Sequence, residues 1–262
     1  PMFTPRGTLL RQLLTEFVWS LMEPQGYQRV TIPHMAKADL YKTSGHYDKF
    51  ADDIFHVSSK KSEDEFIMKP MNCPHHTQIY ASKPRSYRDL PIRYSEVTAV
   101  YRDENTGQLA GLSRVRSITQ DDAHIFCTME QVKHEVKQIH DIVTAFYQAF
   151  NMPLRIRLSI NDPAKPQKYL GTPEMWNKAV TSLKEVLSDL GKEYELGVGE
   201  AAFYGPKIDF MAKDAIGREW QLATAQVDFN QPERFGLEYA AADGTKQRPV
   251  MVHRAISGSI ER

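Results

Sequence analysis

An α+β fold, with an antiparallel β-sheet flanked by helices, is expected of this chain on three grounds. Helical and extended segments follow one another in mixed order rather than as alternating βαβ units. Two extended runs, Tyr94–Arg102 and Arg114–Cys127, are joined by a loop holding Asn105, Thr106, Gly107 and Gly111, the pattern of a hairpin with a long connection. Two further runs, Ala202–Ala212 and Arg218–Phe229, are linked through Asp-Ala-Ile-Gly. So short a link cannot hold a crossover, so those strands must pair antiparallel.

The other elements follow from periodicity. Leu9, Leu10, Leu13, Leu14, Phe17, Val18 and Leu21 give helical spacing from Thr8 to Leu21, and Pro24 and Gly26 end that helix. Tyr27–Ile32 reads as a strand stopped by Pro33. Residues 41–65 are polar and irregular, with KKSEDE as an exposed loop, and Phe66–Met68 is a short strand leading into a KPMNCPHH turn. Thr128 and Gln131 form a capping box for a helix whose buried stripe is Val132, Val136, Ile139, Val143, Phe146 and Phe150. Leu154, Ile156, Leu158 and Ile160 alternate as a strand. Thr172-Pro173 opens a helix through Trp176, Leu183 and Leu187, with proline at its favoured first position. Arg248–Val252 is the last strand, and neither an internal repeat nor a low-complexity tract is visible.

With 262 residues the chain can bury a sizeable core as one large domain or two small ones. It carries 33 Lys and Arg against 33 Asp and Glu, so net charge points to neither a nucleic-acid nor a membrane partner. Any polyanion must be met by a local group of arginines. Two cysteines, Cys73 and Cys127, make no disulfide framework, which favours a reducing compartment. PMFTPRGTLL lacks the layout of a signal peptide, and no apolar run reaches membrane-spanning length. Without an initiator Met, and stopping at GSIER, the chain reads as an excised domain.

The chemistry concentrates in RVRSITQDDAHIF. Read as a strand, it places Arg114, Arg116, Ile118, Gln120, Asp122 and His124 on one face, since side chains alternate with period two. Such a face suits a small, charged, polyfunctional ligand better than a core. There is no glycine-rich phosphate loop of either standard pattern, so any nucleotide must be held by arginines. Arg102 and Arg262 offer the planar fork that matches phosphate, although either alone could be a surface residue. Cys73, His124 and His253 are possible metal ligands far apart in sequence, and spacing alone does not select them. Three protein ligands with an open position describe a catalytic or substrate-binding zinc site, whereas a structural site uses four in close pairs. Cys127, at an odd offset from His124, faces the other way, and His75 and His76 read as turn residues. Thr224 and Gln226, beside Asp228, are either a second ligand wall or exposed edge positions. Tyr204 and Lys207, in Tyr-Gly-Pro-Lys, either face a pocket or belong to a plain turn.

Several segments together resemble the catalytic domain of the threonyl-tRNA synthetases, a class II aminoacyl-tRNA synthetase family. They are KTSGHYDKF, MKPMNCPHH, VYRDENTGQLAGLSRVRSITQDDAHIFCT, AFYGPKIDF, WQLATAQVDFNQPERFG and MVHRAISGSIER, in the family's order and nearly end to end. The segment ending at Pro33 resembles motif 1, the dimer interface; Tyr94–Phe126 resembles motif 2; VHRAISGSIER resembles motif 3. The resemblance implies one catalytic domain over residues 1–262, with the anticodon-binding and editing domains lying outside it.

The resemblance also implies roles. Cys73, His124 and His253 match the family's ligands for a single zinc ion, which binds threonine through its amino and hydroxyl groups. Asp122 matches the acceptor of the threonine hydroxyl, Tyr204 a contact to the amino group, Gln120 and Arg102 contacts to the carboxylate, and Met71 a further threonine contact. Arg102 and Arg262 match the arginines on the α- and γ-phosphates. Glu104, Arg114, Thr224, Gln226 and Ser259 match other ATP contacts, with Ile118 standing where the family usually has a phenylalanine under adenine. Lys207 matches a catalytic lysine, and His46 a histidine implicated in transfer to the terminal adenosine. Implied with these are Mg2+ accompanying ATP, tRNA(Thr) as acceptor, a homodimer through motif 1, no membrane and a cytoplasmic setting. The alternatives are a non-catalytic paralogue that senses threonine or binds RNA, and an adenylating enzyme with a carrier-protein acceptor.

Overall fold

The computed structural model describes residues 1–262. In chain order the elements are α1 (Pro5–Met22), β1 (Gln28–Arg29), β2 (Met35–Lys37), α2 (Ala38–Ser44), α3 (His46–Lys49), β3 (His56–Val57), β4 (Phe66–Met68), α4 (Cys73–Ala81), β5 (Ile92–Tyr101), β6 (Ser117–Cys127), α5 (Val132–Gln148), β7 (Arg155–Ile160), α6 (Pro173–Asp189), β8 (Glu195–Val198), β9 (Lys207–Lys213), β10 (Glu219–Asp228), α7 (Asn230–Arg234), β11 (Tyr239–Ala240), β12 (Lys246–Gln247) and β13 (Val250–Ala255). Eight strands form the main sheet in the order β1-β5-β6-β13-β10-β9-β7-β8. Every interior pairing is antiparallel, and the fold class expected from the sequence stands. The two edges differ: β1 lies parallel to β5, and β8 parallel to β7. Two small sheets, β2-β4-β3 and β11-β12, sit beside it.

The sheet has one wet face and one dry face because its strands alternate. Ala123, Ile125 and Cys127 of β6, Val250 and Val252 of β13, and Ala223, Ala225 and Val227 of β10 point down into a core of 27 buried residues. Helices α1, α5 and α6 close that core with Val18, Met22, Ile139, Val143, Leu183 and Leu187 among others. The intervening positions, Asp122, His124, His253, Thr224 and Gln226, point up into the cavity described below.

A polar pair joins the elements of the dry side. Asp121 and Arg254 are both fully buried there; Arg254 Nη1 donates to the Asp121 carboxylate at 3.1 Å and to its carbonyl at 2.9 Å. The same carboxylate accepts from the backbone N–H groups of Ile256 and Ser257, each at 2.8 Å, and from the Ser257 hydroxyl at 2.5 Å. Arg254 also lies over the Tyr27 ring at 4.7 Å and touches the Met22 sulfur. Helix α1, the turn after it, β6 and the segment after β13 thus meet on one ion pair.

Several expected elements are corrected. The strand expected from Arg114 begins at Ser117, opposite Tyr101. Arg114 instead closes the hairpin loop by exchanging backbone bonds with Ala110, so Arg114 and Arg116 are not on the strand face. The strand expected over 27–32 pairs only at Gln28 and Arg29. The 202–212 strand starts at Lys207, since Pro206 has no N–H to give the ladder and Ala202–Gly205 form a turn. The irregular stretch 41–65 holds α2's end and α3, with KKSEDE exposed as expected. CPHH is the first turn of α4 rather than part of a loop, its proline within the first two helical positions where it costs no hydrogen bond. Only half of the capping box forms: the Gln131 side chain accepts from Thr128 N–H at 2.9 Å, and α5 starts at Val132. Phe150 is 44% exposed, beyond the end of α5's stripe. On α1, Leu9, Leu10 and Leu13 are more than half exposed, so that helix's apolar stripe is covered only toward its C-terminal end.

Replacing Asp121 with Ala strands a buried guanidinium and two backbone donors. The expected loss is about 3–5 kcal/mol of stability, read by urea unfolding. A loss below about 1 kcal/mol would show that the pair does not hold these elements together.

Candidate active site and metal centre

The wet face carries a cavity of about 320 Å³ whose floor is β6, β13 and β10. All the residues to which the resemblance gave a ligand or metal contact line it except four: His46, Glu104, Arg114 and Lys207; Arg116, expected on the same strand face, is outside it too. Strand register explains the convergence. His124 lies opposite His253, Asp122 opposite Ala255, and Gln226 opposite His253 on the other side, so three strands present polar side chains in one row. Thr224 and Gln226 sit on a central strand, which disposes of the edge alternative. Tyr204 is buried in the wall, its hydroxyl donating to Gln226 Oε1 at 2.7 Å and its ring stacked on His253 at 4.7 Å.

At one end of the cavity the donor atoms of Cys73, His124 and His253 all lie within 4.8 Å of one another. Donors around a tetrahedral zinc are spaced roughly 3.3–3.6 Å apart, so small side-chain adjustments would bring the three onto one ion. Their surroundings also suit a metal. His253 Nε2 is 2.8 Å from Asp228 Oδ2, leaving Nδ1 as the free lone pair, and His124 Nδ1 is 2.8 Å from His76 Nδ1, leaving Nε2. Burial pushes the Cys73 thiol well up and holds His124 well below its ordinary range, so the imidazole is neutral and able to ligate. A buried thiol needs a nearby cation to become a thiolate. The trio fits a zinc ion with an open position toward the cavity.

At the other end lie two guanidiniums without a carboxylate partner. Arg102 Nη2 meets only the Met71 sulfur, at 3.8 Å. Arg262 Nη2 donates to the Gln221 carbonyl at 2.7 Å, and its guanidinium lies 5.1 Å from the centre of the Trp220 ring. The segment bearing Arg262 is pinned to β6: Glu261 accepts from Thr119 N–H at 3.0 Å and pairs with Arg11 of α1 at 3.2 Å. Gly258 (φ +68°) lets it pass, since a Cβ there would stand 2.3 Å from the Leu222 carbonyl. Gly205, beside Tyr204, is likewise obligatory: its Cβ would meet the Val227 carbonyl at 2.0 Å. Ile118 and Ser259 complete this end.

The four residues outside the lining are placed as follows. Glu104 and Arg114 pair with each other at 2.7 Å beside the hairpin loop. Lys207 is bound to Asp209 at 2.9 Å, alongside Ser159, which donates to the same carboxylate at 2.6 Å. His46 is fully buried behind Cys73, its Nε2 3.6 Å from the sulfur and its Nδ1 2.7 Å from Ser44 Oγ, and burial lowers its pKa to about 3.

Sequence reasoning gave no role to four contributors. His76 and Asn72 were hidden because CPHH reads as a turn until α4 is seen. Asp228 was noted beside Gln226, and its even offset from Thr224 puts it on the same face; it orients His253 while its other oxygen caps α7 by accepting from Asn230 and Gln231 N–H. Gln221 reaches the cavity only because a bulge between Gln221 and Ala223 turns it upward, and no residue type announces that bulge.

A profile of the tRNA synthetase class II core domain (G, H, P, S and T) matches residues 55–262. The threonine–tRNA ligase of Thermosynechococcus vestitus is 49% identical over 268 aligned residues, covering all of this chain and 44% of that protein, so the chain spans less than half of the relative's length. The RNA binding domain of threonyl-tRNA synthetase from Cryptosporidium parvum Iowa II superposes with a TM-score of 0.94 at 39% identity, over all of this chain and 64% of that one. Giardia lamblia prolyl-tRNA synthetase, in complex with prolyl-adenylate, shares the fold at a TM-score of 0.72 and 15% identity. No helix is long and apolar enough to cross a membrane.

Metal analysis of the purified protein is expected to give about one zinc per chain. Cys73→Ala or His124→Ala should bring that close to zero, while Cys127→Ala, on the dry face, leaves it unchanged. Full zinc content in both site variants would remove the trio as the centre.

Proposed function

The chain belongs to the class II tRNA synthetase core family, and on that premise we propose that it is the catalytic domain of a threonine–tRNA ligase. The supporting observation is that one cavity joins a buried Cys-His-His donor set to two arginines with no carboxylate partner. In this reading threonine lies over β6 at the metal end, and the phosphates of ATP lie toward Arg102 and Arg262.

Asp122 accepts from the threonine hydroxyl, and Tyr204 faces the amino group. Gln120 and Arg102, with Met71 beside them, orient the carboxylate. Cys73, His124 and His253 would hold a zinc ion, which would supply a Lewis acid for the amino and hydroxyl groups. The carboxylate oxygen attacks the α-phosphorus in line with the departing pyrophosphate, giving threonyl-adenylate. Arg102 stabilises the charge that develops at the α-phosphate, and Arg262 holds the far phosphate, with Mg2+ accompanying the pyrophosphate. Ile118, Thr224, Gln226 and Ser259 contact the nucleoside side. Glu104 and Arg114 reach ATP only by exchanging part of their mutual ion pair, and Lys207 only by leaving Asp209. His46 assists transfer to the 3′ adenosine of tRNA(Thr), which requires it to turn out from behind Cys73.

Selectivity follows from burying polar groups. Valine has threonine's shape without its hydroxyl, so it leaves Asp122 and the metal position unpaired. Sites built around a hydroxyl reject the apolar analogue by on the order of 10⁴-fold or more, far beyond what an apolar pocket achieves. The exposed Leu9, Leu10 and Leu13 of α1 suit a homodimer contact in the motif 1 region, and two reduced buried cysteines suit a cytoplasmic protein.

The deciding experiment is amino-acid-dependent ATP–pyrophosphate exchange on the full-length protein with threonine, serine, valine and proline. Threonine-dependent exchange with valine lower by on the order of 10⁴ is expected. Arg102→Ala is expected to lower the threonine rate by about 10²–10³-fold. A metal-loaded, folded protein with no threonine-dependent exchange would refute the reading.

A further inference from the structure

Asp122 has two oxygens and only one hydrogen-bond partner. Its Oδ2 accepts from Asn72 Nδ2 at 2.9 Å, while its Oδ1 stands 3.8 Å from His124 Nε2 and accepts no hydrogen bond. Asn72 is fully buried and lies outside the cavity lining. We propose that Asn72 is a positioning residue for hydroxyl recognition: it holds one oxygen of Asp122 so that the other faces the ligand. This rests on the threonine reading of the site given above.

The chemistry fixes the direction of that bond. A carboxylate has no proton to give, so the amide must present its NH2 group, and Asn72 Oδ1 is left buried without a partner. An orphaned acceptor costs stability, so the fold accepts a loss here for the sake of the bond to Asp122. The backbone of Asn72 is equally fixed. Its carbonyl accepts from the N–H groups of His75 and His76 at 3.1 and 3.3 Å, at the start of α4. The next residue is Cys73. One helical turn therefore delivers a metal donor and the amide that sets the neighbouring carboxylate.

The need for such a clamp comes from the neighbouring strand. Directly opposite Asp122 on β5 is Glu96, a like charge on the same face of the sheet. Lys69, also fully buried, is 3.9 Å from Glu96 Oε2 and bonds the Thr98 hydroxyl at 2.9 Å. Between a carboxylate that repels it and an ammonium that attracts it, Asp122 has reason to turn from the ligand. The terminal torsion of an aspartate is soft and offers little resistance of its own. The Asn72 bond supplies the missing constraint.

The test is a double-mutant cycle on the full-length protein, read as threonine KM in pyrophosphate exchange and as threonine affinity by calorimetry. Asn72→Ala should raise the threonine KM roughly tenfold, with ATP KM and zinc content unchanged. In an Asp122→Ala background the same substitution should change threonine affinity less than twofold. Asn72→Asp, the same size but carrying a carboxylate against Asp122, should be worse than Asn72→Ala. Asn72→Ser serves in the cycle if the aspartate variant does not fold. A wild-type response from Asn72→Asp would reduce Asn72 to a space-filler. An equal cost of Asn72→Ala in both backgrounds, or loss of zinc with it, would place its effect elsewhere and overturn the proposal. A wild-type protein silent toward threonine would instead refute the underlying reading and this inference with it.

Discussion

Two strands of the cavity floor, β6 and β13, are tied to each other and to α1 from the dry side through the ion pair between Asp121 and Arg254. Both charges are sealed under the sheet, and the carboxylate also gathers the first backbone N–H groups after β13. Its partners come from β6, β13 and the helix that opens the chain. Burying two charges is expensive, and a well-packed apolar pair can be as stable. What the pair adds is direction. With Asp121 and Arg254 engaged below, their neighbours Asp122 and His253 are committed to the upper face, where the cavity needs them. The bends of the chain after β13, which carry Ser259 and Arg262, start from the same carboxylate.

The cavity is built with little use of loops. Its metal-side donors come from a strand centre, from the facing strand, and from the first residue of α4. Second contacts restrain the two histidines and the carboxylate beside them: Asp228 and Tyr204 on His253, His76 on His124, Asn72 on Asp122. The arginine end is looser by contrast. Arg102 stands at the end of β5 and Arg262 on an irregular segment, and both guanidiniums lack an acidic neighbour that would compete for them. A restrained polar floor at one end and two guanidiniums without a carboxylate partner at the other divide the cavity into two unlike halves.

The sequence was most legible where period two is unbroken. β6 from Ser117 onward, β10 from Ala223 onward and β13 alternate cleanly, so face assignments for Gln120, Asp122, His124, Thr224 and Gln226 could be read directly. It was least legible where local signals mislead. Pro74 beside Cys73 reads as a turn, yet proline early in a helix costs nothing, and α4 starts there. Arg114 follows strand parity on paper but is taken by a loop closure. Parallel edges were invisible because pairing at an edge depends on what the chain does far away. Ion pairs such as Glu104–Arg114 and Lys207–Asp209 are choices among several available partners, which no spacing rule settles. His46 could be picked out only by likeness, and its burial behind Cys73 is a matter of packing.

The adjacent aspartates of β6 carry a consequence for how this chain tolerates inherited change. Point substitutions on the strand alter one face at a time. Losing or gaining a single codon upstream of them within the strand would rotate every later side chain to the opposite face. For a gained codon the repeated carboxylate hides part of that damage, because Asp121 would arrive where Asp122 had stood. The imidazole would not be replaced: beside His124 are Ala123 and Ile125, and neither can ligate anything. A frame-preserving insertion here would leave a cavity that still looks acidic and has lost its imidazole.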